Sequence, residues 1–235
     1  MIGLLLAIFG GAVGLLLWLV KQEPPFFESA RVEDVTERKQ LALEFERRFF
    51  NFIPAIFVNN DPEWSEQFTA EQINSYLEVE CNRWSLMESL TRSGASTPRV
   101  SLEDGIIRVG LRYGQGWWST VVSIDVKVWL PAVQQNMIAV ELQGVHAGGL
   151  PLSTRNLIER FTELTRQLPV DITWYRNEGH PVAIIRLLQD PARPALQLDR
   201  LAITPGRIEI SGRSGDSSHL QVLSTDTARS QAIPK

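Results

Sequence analysis

The alternation of apolar and polar residues between residues 99 and 143 constrains the fold of this chain more than any other feature. Apolar side chains occupy every second position in residues 107–113, 122–128 and 138–142. A period of two gives each strand one apolar face and one polar face. Asp104-Gly105 is a hairpin signal ahead of the first of these strands. The pattern therefore predicts an antiparallel meander of long strands, with helices covering its apolar face.

The apolar residues of these strands are candidates for a binding groove. If helices cover the apolar face incompletely, an apolar groove remains, and such a groove is the default ligand site of a protein. The alternative is that the same residues form an ordinary closed core. The candidate groove residues are Ile107, Val109, Leu111, Val122, Ile124, Val126, Val128, Ile138, Val140 and Leu142.

An unbroken apolar run from Ile2 to Val20 opens the chain, and Lys21 ends it. A helix rises about 1.5 Å per residue, so a run of this length matches the roughly 30 Å core of a bilayer. We expect residues 1–21 to form a single-pass transmembrane anchor in the inner (cytoplasmic) membrane. A cleaved signal peptide and a buried soluble helix are the alternatives. Basic residues follow the run and none precedes it, which favours a cytoplasmic domain by the positive-inside rule.

The remaining sequence divides into three parts. Residues 22–31, with two adjacent prolines, predict a short stiff stalk. Residues 32–211 are long enough to form one domain with its own core. Residues 212–235 are polar and predict a disordered tail. Inside the domain, apolar residues at helical spacing from Val32 to Ile56 predict a helix that packs on the core or lies on a bilayer surface.

Two further segments carry local signals. Thr69 and Gln72 have the spacing of a capping box, with Phe68 and Ile73 at the positions of a hydrophobic staple, so a helix is expected to start at Thr69. Trp117-Trp118 follows a glycine-rich turn at a strand end. Tryptophans exposed at the rim of a sheet can lie at the headgroup level of a bilayer, and these two are candidate membrane-proximal residues. Packing of that rim against the helix at Val32 to Ile56 is the alternative.

The composition gives no signal for catalysis, metal binding or nucleic-acid binding. The chain has one cysteine, Cys81, and three histidines, His146, His180 and His219, without metal-ligand spacing. We therefore expect no catalytic residue, metal or cofactor, and interpret His146 as a structural residue at a strand end. The net charge of −4 argues against a nucleic-acid partner, which would normally require a basic patch.

Two motifs resemble those of a known group of proteins. Phe68 to Leu77 reads Phe-Thr-x-x-Gln-Ile-Asn-x-Tyr-Leu, and Val145 to Leu152 reads Val-His-Ala-Gly-Gly-Leu-Pro-Leu. With the anchor and the meander between them, these motifs resemble the YpmS-like and LmeA-like bacterial envelope proteins, which look like relatives of the tubular lipid-binding (TULIP) superfamily. The resemblance covers about Gln67 to Ser211. This chain departs from the second motif at Ser153, where the family usually has a second proline.

The resemblance implies an α+β fold in which an N-terminal transmembrane helix precedes a strongly curved antiparallel sheet that wraps one or two long helices. It also implies a membrane-anchored lipid-binding module of the bacterial envelope, which holds an acyl chain in the apolar groove. The partner would be a membrane lipid such as a phospholipid, or an envelope protein. The domain would be extracytoplasmic, contrary to the charge count. The alternative function is a non-catalytic structural or protein-interaction module with a closed core.

Overall fold

The computed structural model describes residues 2–57, 63–80, 91–92, 94–131, 136–154, 158, 170–187 and 195–215. Four α-helices have both ends within these residues, α1 (Ile2–Lys21), α2 (Pro25–Ser29), α3 (Val35–Phe57) and α4 (Ala70–Glu80), and a short 3-10 helix spans Gly116–Trp118. The strands are β1 (Trp64–Thr69), β2 (Ala95–Glu103), β3 (Ile106–Tyr113), β4 (Thr120–Trp129), β5 (Met137–Ala147), β6 (Leu150–Pro151), β7 (Val170–Asn177), β8 (His180–Leu187), β9 (Ala195–Thr204) and β10 (Arg207–Gly215).

The larger sheet contains seven strands, six of them in the order β2-β3-β4-β5-β8-β7, while β6 pairs only with β5. Every pairing is antiparallel, and β3, β4 and β5 are the three strands that the alternation predicts. Gly105 has a positive φ of 70° in the turn that joins β2 to β3. The predicted antiparallel meander is therefore confirmed.

A second sheet of three strands has the order β1-β10-β9. It meets the larger sheet at two turns: Gly105 donates a backbone hydrogen bond to Ile203 over 3.0 Å, and Gly206 donates one to Leu102 over 2.8 Å. Strand β10 continues to Gly215, so ordered structure extends past residue 211, where we expected the tail to begin.

The expected strongly curved sheet wrapping a long helix is wrong. The strands divide between two sheets, and α3 packs on α4 and on β1 of the smaller sheet. Helix α4 covers the edge strand β2 of the larger sheet. The Asn74 side chain bonds both backbone groups of Val100, each over 2.7 Å, and so occupies the donor and acceptor that another strand would need. The observed architecture is mostly antiparallel sheet with a few helices.

The predicted transmembrane anchor is also wrong. Within the described residues, no helix is both long enough and apolar enough to cross a bilayer. This finding also contradicts the predicted single-pass topology and the inner-membrane location that was derived from it.

Residues 22–31 form a packed segment in the structure, where the sequence predicted a stalk. Pro25 begins α2 at a helix position that tolerates proline, because the first amide group of a helix has no partner within it. The short helix places the side chains of Phe26 and Phe27 in a buried cluster with Val121 of β4. The proline pair therefore starts a helix that packs against the larger sheet.

Helix α3 packs on α4 and on β1, which agrees with the interpretation that the helix from Val32 to Ile56 packs on the core. It begins after Asp34, whose carboxylate accepts hydrogen bonds from the backbone amides of Thr36 and Glu37 over 2.7 and 3.0 Å. These two bonds lower the pKa of Asp34 because they stabilise its charged form. Further along, the Phe45 ring lies 5.0 Å from the rings of both Phe68 and Tyr76.

The capping box at the start of α4 is confirmed. The Thr69 amide donates to the Gln72 side chain over 3.0 Å, and the Gln72 amide donates to the Thr69 hydroxyl over 3.2 Å. Cys81 and His219 lie outside the described residues.

Candidate apolar site on the larger sheet

The ten predicted groove residues lie on one face of the larger sheet, which we call the apolar face. Partners in an antiparallel register point to the same side, and alternate residues along one strand do too. The pairs that connect β3, β4 and β5 on this face are Ile107 with Val126, Val109 with Ile124, Leu111 with Val122, Val126 with Leu142, and Val128 with Val140. Ile138 precedes Val140 by two positions on β5 and therefore shares the face.

A cavity of about 240 Å³ lies on the apolar face. Five of its eight described lining residues are predicted groove residues. Those five are Val109, Ile124, Val126, Val140 and Leu142. The other predicted residues share the face but do not line the cavity, and they are Ile107, Leu111, Val122, Val128 and Ile138.

Three lining residues were absent from the prediction: Ile158, Trp174 and Ala183. Ala183 and Trp174 reach the site because β8 pairs with β5 and β7 pairs with β8. Ala183 lies opposite Val140 on one side and opposite Trp174 on the other. Nothing local in the sequence indicates which strand β8 pairs with.

The chemistry of the cavity is uniform. None of its described lining residues is charged, and the only polar side-chain atom among them is the indole nitrogen of Trp174. A buried water usually needs about three hydrogen-bonding partners, so this lining holds water poorly and favours an apolar occupant. A covalent reaction would need an acid, a base or a nucleophile, and the described lining contains none.

The opposite face of β2, β3 and β4, which we call the arginine face, is polar and covered. Arg108 contacts both Asp125 and Glu103 over 2.8 Å. Beside them, the exposed fraction of Phe27 is only 2%. Gly110 lies under the two aromatic rings of α2, and a Cβ added there would approach Phe27 to 2.8 Å and Phe26 to 3.0 Å. Glycine at this position therefore allows α2 to lie directly on the strand.

Three guanidinium groups surround the two phenylalanine rings of α2. Arg99 and Arg112 each lie 5.4 Å from the centre of the Phe27 ring, and Arg108 lies 5.3 Å from that of Phe26. At these distances each cation is attracted by the negative face of a ring. The aromatic residues of α2 therefore cover positively charged side chains as well as apolar surface.

Carboxylates compensate this positive charge unequally. Glu23 pairs with Arg112 through two hydrogen bonds of 2.6 and 2.9 Å, and these bonds lower the pKa of Glu23 and raise that of Arg112. Arg99 is less well compensated, because its Nε is buried without a hydrogen-bond partner and Glu78 is 3.6 Å away. Burial lowers the pKa of Arg99, and neighbouring arginines add to that effect.

The two candidate membrane-proximal tryptophans lie at the rim of the larger sheet, beside the end of α1. Trp117 and Trp118 are 71% and 76% exposed. Lys21 lies over the Trp117 ring, 4.9 Å from its centre, and donates a hydrogen bond to the Ser119 carbonyl. Gly149 donates to the Leu19 carbonyl over 2.7 Å, so the last turn of α1 is attached to the same rim. The proposed role of the two indoles stays a prediction.

The described residues contain no group of three or more His, Cys, Asp or Glu side chains that could hold a metal ion. His146 lies opposite Ser123 in β5, and His180 begins β8 at the outer hairpin of the sheet. The two described histidines are therefore separated by the fold.

No family model, curated protein or solved structure matches this chain. The resemblance to YpmS-like and LmeA-like proteins therefore stays a prediction that rests on two motifs. In the structure both motifs have local roles in packing. Asn74 of the first attaches α4 to β2. Gly148 of the second makes the turn after β5 and donates a hydrogen bond to the Val121 carbonyl over 2.7 Å.

Proposed function

We propose that this protein binds a lipid chain in the cavity on the apolar face of its larger sheet. The observation that supports the proposal is a cavity of about 240 Å³ whose described lining residues are apolar apart from one indole nitrogen. The contacts would come from Val109, Ile124, Val126, Val140 and Leu142, with Ile158, Trp174 and Ala183 completing the lining.

The expected affinity follows from the size of the cavity. A methylene group displaces about the same volume as one water molecule in the liquid, roughly 30 Å³, so about eight methylenes fill the site. Each contributes about 0.8 kcal/mol when it leaves water, which gives a gross gain of about 6 kcal/mol. A free energy of about 6 kcal/mol corresponds to a dissociation constant of about 40 μM, and association costs reduce the gain, so a dissociation constant weaker than about 40 μM is expected.

The proposed activity is reversible binding without bond making. An apolar chain would leave water for the cavity, and the sheet would supply a rigid wall of β-branched side chains with few alternative rotamers. A preformed apolar pocket of this kind needs no catalytic motif. The driving force is removal of apolar surface from water.

The test is native mass spectrometry and calorimetry of the full chain, after removal of bound lipid, with 1-octanol as the probe. Val126→Phe places a larger side chain in the cavity, while Val128→Phe makes the same change two residues later on β4, on the same face but outside the cavity lining. We expect Val126→Phe to weaken binding at least tenfold and Val128→Phe to leave it within twofold. Equal binding by both variants, or none by the unaltered chain, would contradict the proposal.

One observation favours a second candidate function, a protein-interaction module. Several apolar side chains of α1 are exposed, among them Phe9, Leu15, Leu16, Leu17 and Trp18. Gly149 and Thr120 bond the last carbonyls of that helix, which gives the exposed surface a defined position. The same mass-spectrometric experiment distinguishes the two candidates. A bound polypeptide that is lost in Leu16→Glu would support the second candidate, whereas a bound lipid mass would support the first.

A further inference from the structure

We infer that the outer strands of the larger sheet carry a second binding site, and that this site takes a saccharide. The site is a cavity of about 340 Å³ lined mainly by residues of β4, β5, β7 and β8, and we call it the polar trough. Its lining residues Val182 and Ile184 alternate along β8 with Ala183, which lines the apolar cavity. The two cavities therefore lie on opposite sides of the sheet, and this inference does not depend on the proposed lipid binding.

The polar trough has an apolar base between two aromatic side chains. Met137, Val182 and Ile184 lie at the base, and the first two are 7% and 4% exposed. Trp129 of β4 and Tyr175 of β7 flank this base. Because β5 and β8 lie between β4 and β7, the backbones at the two sides are three strand spacings apart, about 14 Å. The trough therefore suits an elongated ligand that lies across the strands.

The two aromatic rings offer surfaces on which a sugar ring can stack. Tyr175 is 58% exposed, and the ammonium group of Lys127 lies over the Trp129 ring, 5.9 Å from its centre. A pyranose ring presents C–H groups on its faces, and their partial positive charge is attracted by the negative face of an aromatic ring. Stacking of this kind needs exposed rings beside an apolar surface, which the trough supplies.

Polar side chains that suit neighbouring hydroxyl groups line the β7 side of the trough. Asp171 and Asn177 share a face of β7 with Tyr175, and Arg186 lies opposite Asp171 on β8. A carboxylate accepts hydrogen bonds, a guanidinium group donates several, and an amide does both, so adjacent hydroxyls of a sugar find matching partners. No ion pair or side-chain hydrogen bond with another described residue occupies these three groups.

Glu141 adds a buried acceptor beside the trough. It lies opposite Val182 of β8 and opposite Lys127 of β4, on the same side of the sheet as the trough, and only 6% of it is exposed. Within the described part of the chain, no group donates a hydrogen bond to its carboxylate. A buried carboxylate without donors is costly, and the hydroxyls of a bound sugar would supply them.

The experiment is a titration of the full chain with three trisaccharides, cellotriose, maltotriose and tri-N-acetylchitotriose, followed by saturation-transfer difference NMR. We expect at least one of them to bind with a dissociation constant of about 1 mM or tighter. Tyr175→Ala should weaken that binding at least about fivefold, because it removes one stacking surface. Tyr113→Ala is the matched control and should leave binding within twofold, since Tyr113 is similarly exposed, at 51%, but lies on β3 outside the trough.

Two further variants locate the site. Asp171→Ala changes an exposed residue of the trough and should also weaken binding. Val126→Phe alters the cavity on the other side of the sheet and should leave saccharide binding within twofold. If none of the trisaccharides binds, or if Tyr175→Ala and Tyr113→Ala have equal effects, the inference fails while octanol binding stands. Loss of saccharide binding in a folded Val126→Phe variant would place the sugar on the apolar face and overturn the inference.

Discussion

The same strands form both faces of the larger sheet, but α2 packs closely on one face and a cavity lies on the other. On the arginine face, Gly110 allows α2 to approach until Phe27 is almost completely buried. On the apolar face, the neighbouring residue Val109 lines the cavity. Alternation along β3 separates the two environments by a single residue. The comparison teaches that the strand pattern decides which side chains share a face, while the element packed above decides whether that face is closed.

The two faces also differ in their electrostatics. The arginine face combines aromatic rings with arginines and carboxylates, so its stability depends on charge as well as on buried area. The described lining of the cavity holds no charged group. Mutations and pH should therefore affect the two faces differently.

The largest effect is expected from removing the aromatic cover of the arginine face. Phe27→Ala deletes a ring that is 2% exposed, and such a truncation costs about 3–5 kcal/mol of unfolding free energy. Urea unfolding followed by circular dichroism measures the change. Phe50→Ala is the matched control, because Phe50 is 54% exposed and its loss should cost less than about 1 kcal/mol. Similar costs for the two variants would show that α2 does not close this face.

A smaller loss is expected from Gly110→Ala. The added Cβ would lie 2.8 Å from the Phe27 ring, so α2 must shift and the free energy of unfolding should fall by about 1–3 kcal/mol. Gly11→Ala in α1 is the control, because the new methyl group meets nothing within 4 Å. That change should leave stability unchanged or raise it slightly. A neutral Gly110→Ala would argue against close contact between α2 and β3.

On the apolar face, by contrast, an enlarged side chain should be tolerated. Ala183→Leu adds side-chain volume beside an existing cavity, so we expect the free energy of unfolding to change by less than about 1 kcal/mol in either direction. The measurement is the same urea titration, combined with octanol binding, which should weaken. A loss as large as that of Phe27→Ala would mean that this face is already closed.

The smallest effect concerns pH and belongs to the arginine face. Arg112 lowers the pKa of Glu23 in the folded protein. The ion pair therefore stabilises the fold above the unfolded pKa of about 4.3, and this contribution is lost as the pH falls through the lowered folded value. Because both side chains are partly exposed, the contribution is at most about 1 kcal/mol.

Glu23→Gln checks this expectation. The variant should be less stable than the unaltered chain at pH 7, and the difference should shrink as both are titrated towards pH 3. Octanol binding should not change between pH 6 and pH 8, since the described cavity lining contains no titratable group. A stability difference that persists unchanged at low pH would argue against the Glu23–Arg112 pair.

Much of the local structure could be predicted, because its signals lie close together in the chain. The alternation on β3, β4 and β5 predicts the shared face of the ten candidate residues, and the Thr69–Gln72 spacing predicts the capping box. Trp174 and Ala183 were missed because a period-two pattern assigns faces but does not say which strands pair. Phe26 and Phe27 were assigned to a stalk because their burial depends on Gly110, far away in the sequence.

The global predictions failed for a related reason. The strongly curved sheet was inferred from the order of the motifs, and motif order does not determine how strands divide between sheets. Here β1, β9 and β10 form a sheet of their own, and Asn74 closes the edge at β2. The transmembrane anchor was inferred from the apolar run alone, and within the described residues no helix meets the length and hydropathy that a span requires.

The sequence by itself determined which residues alternate, where α4 begins and which side chains of β3, β4 and β5 share a face, because each depends on neighbours a few positions apart. Only the tertiary structure decided that β8 lies beside β5, that α2 closes the arginine face and that a cavity stays open on the apolar face. These features depend on contacts between distant segments, such as Gly110 with Phe27 and Val140 with Ala183. Closing such contacts depends on the volumes of both partners, which no local pattern encodes.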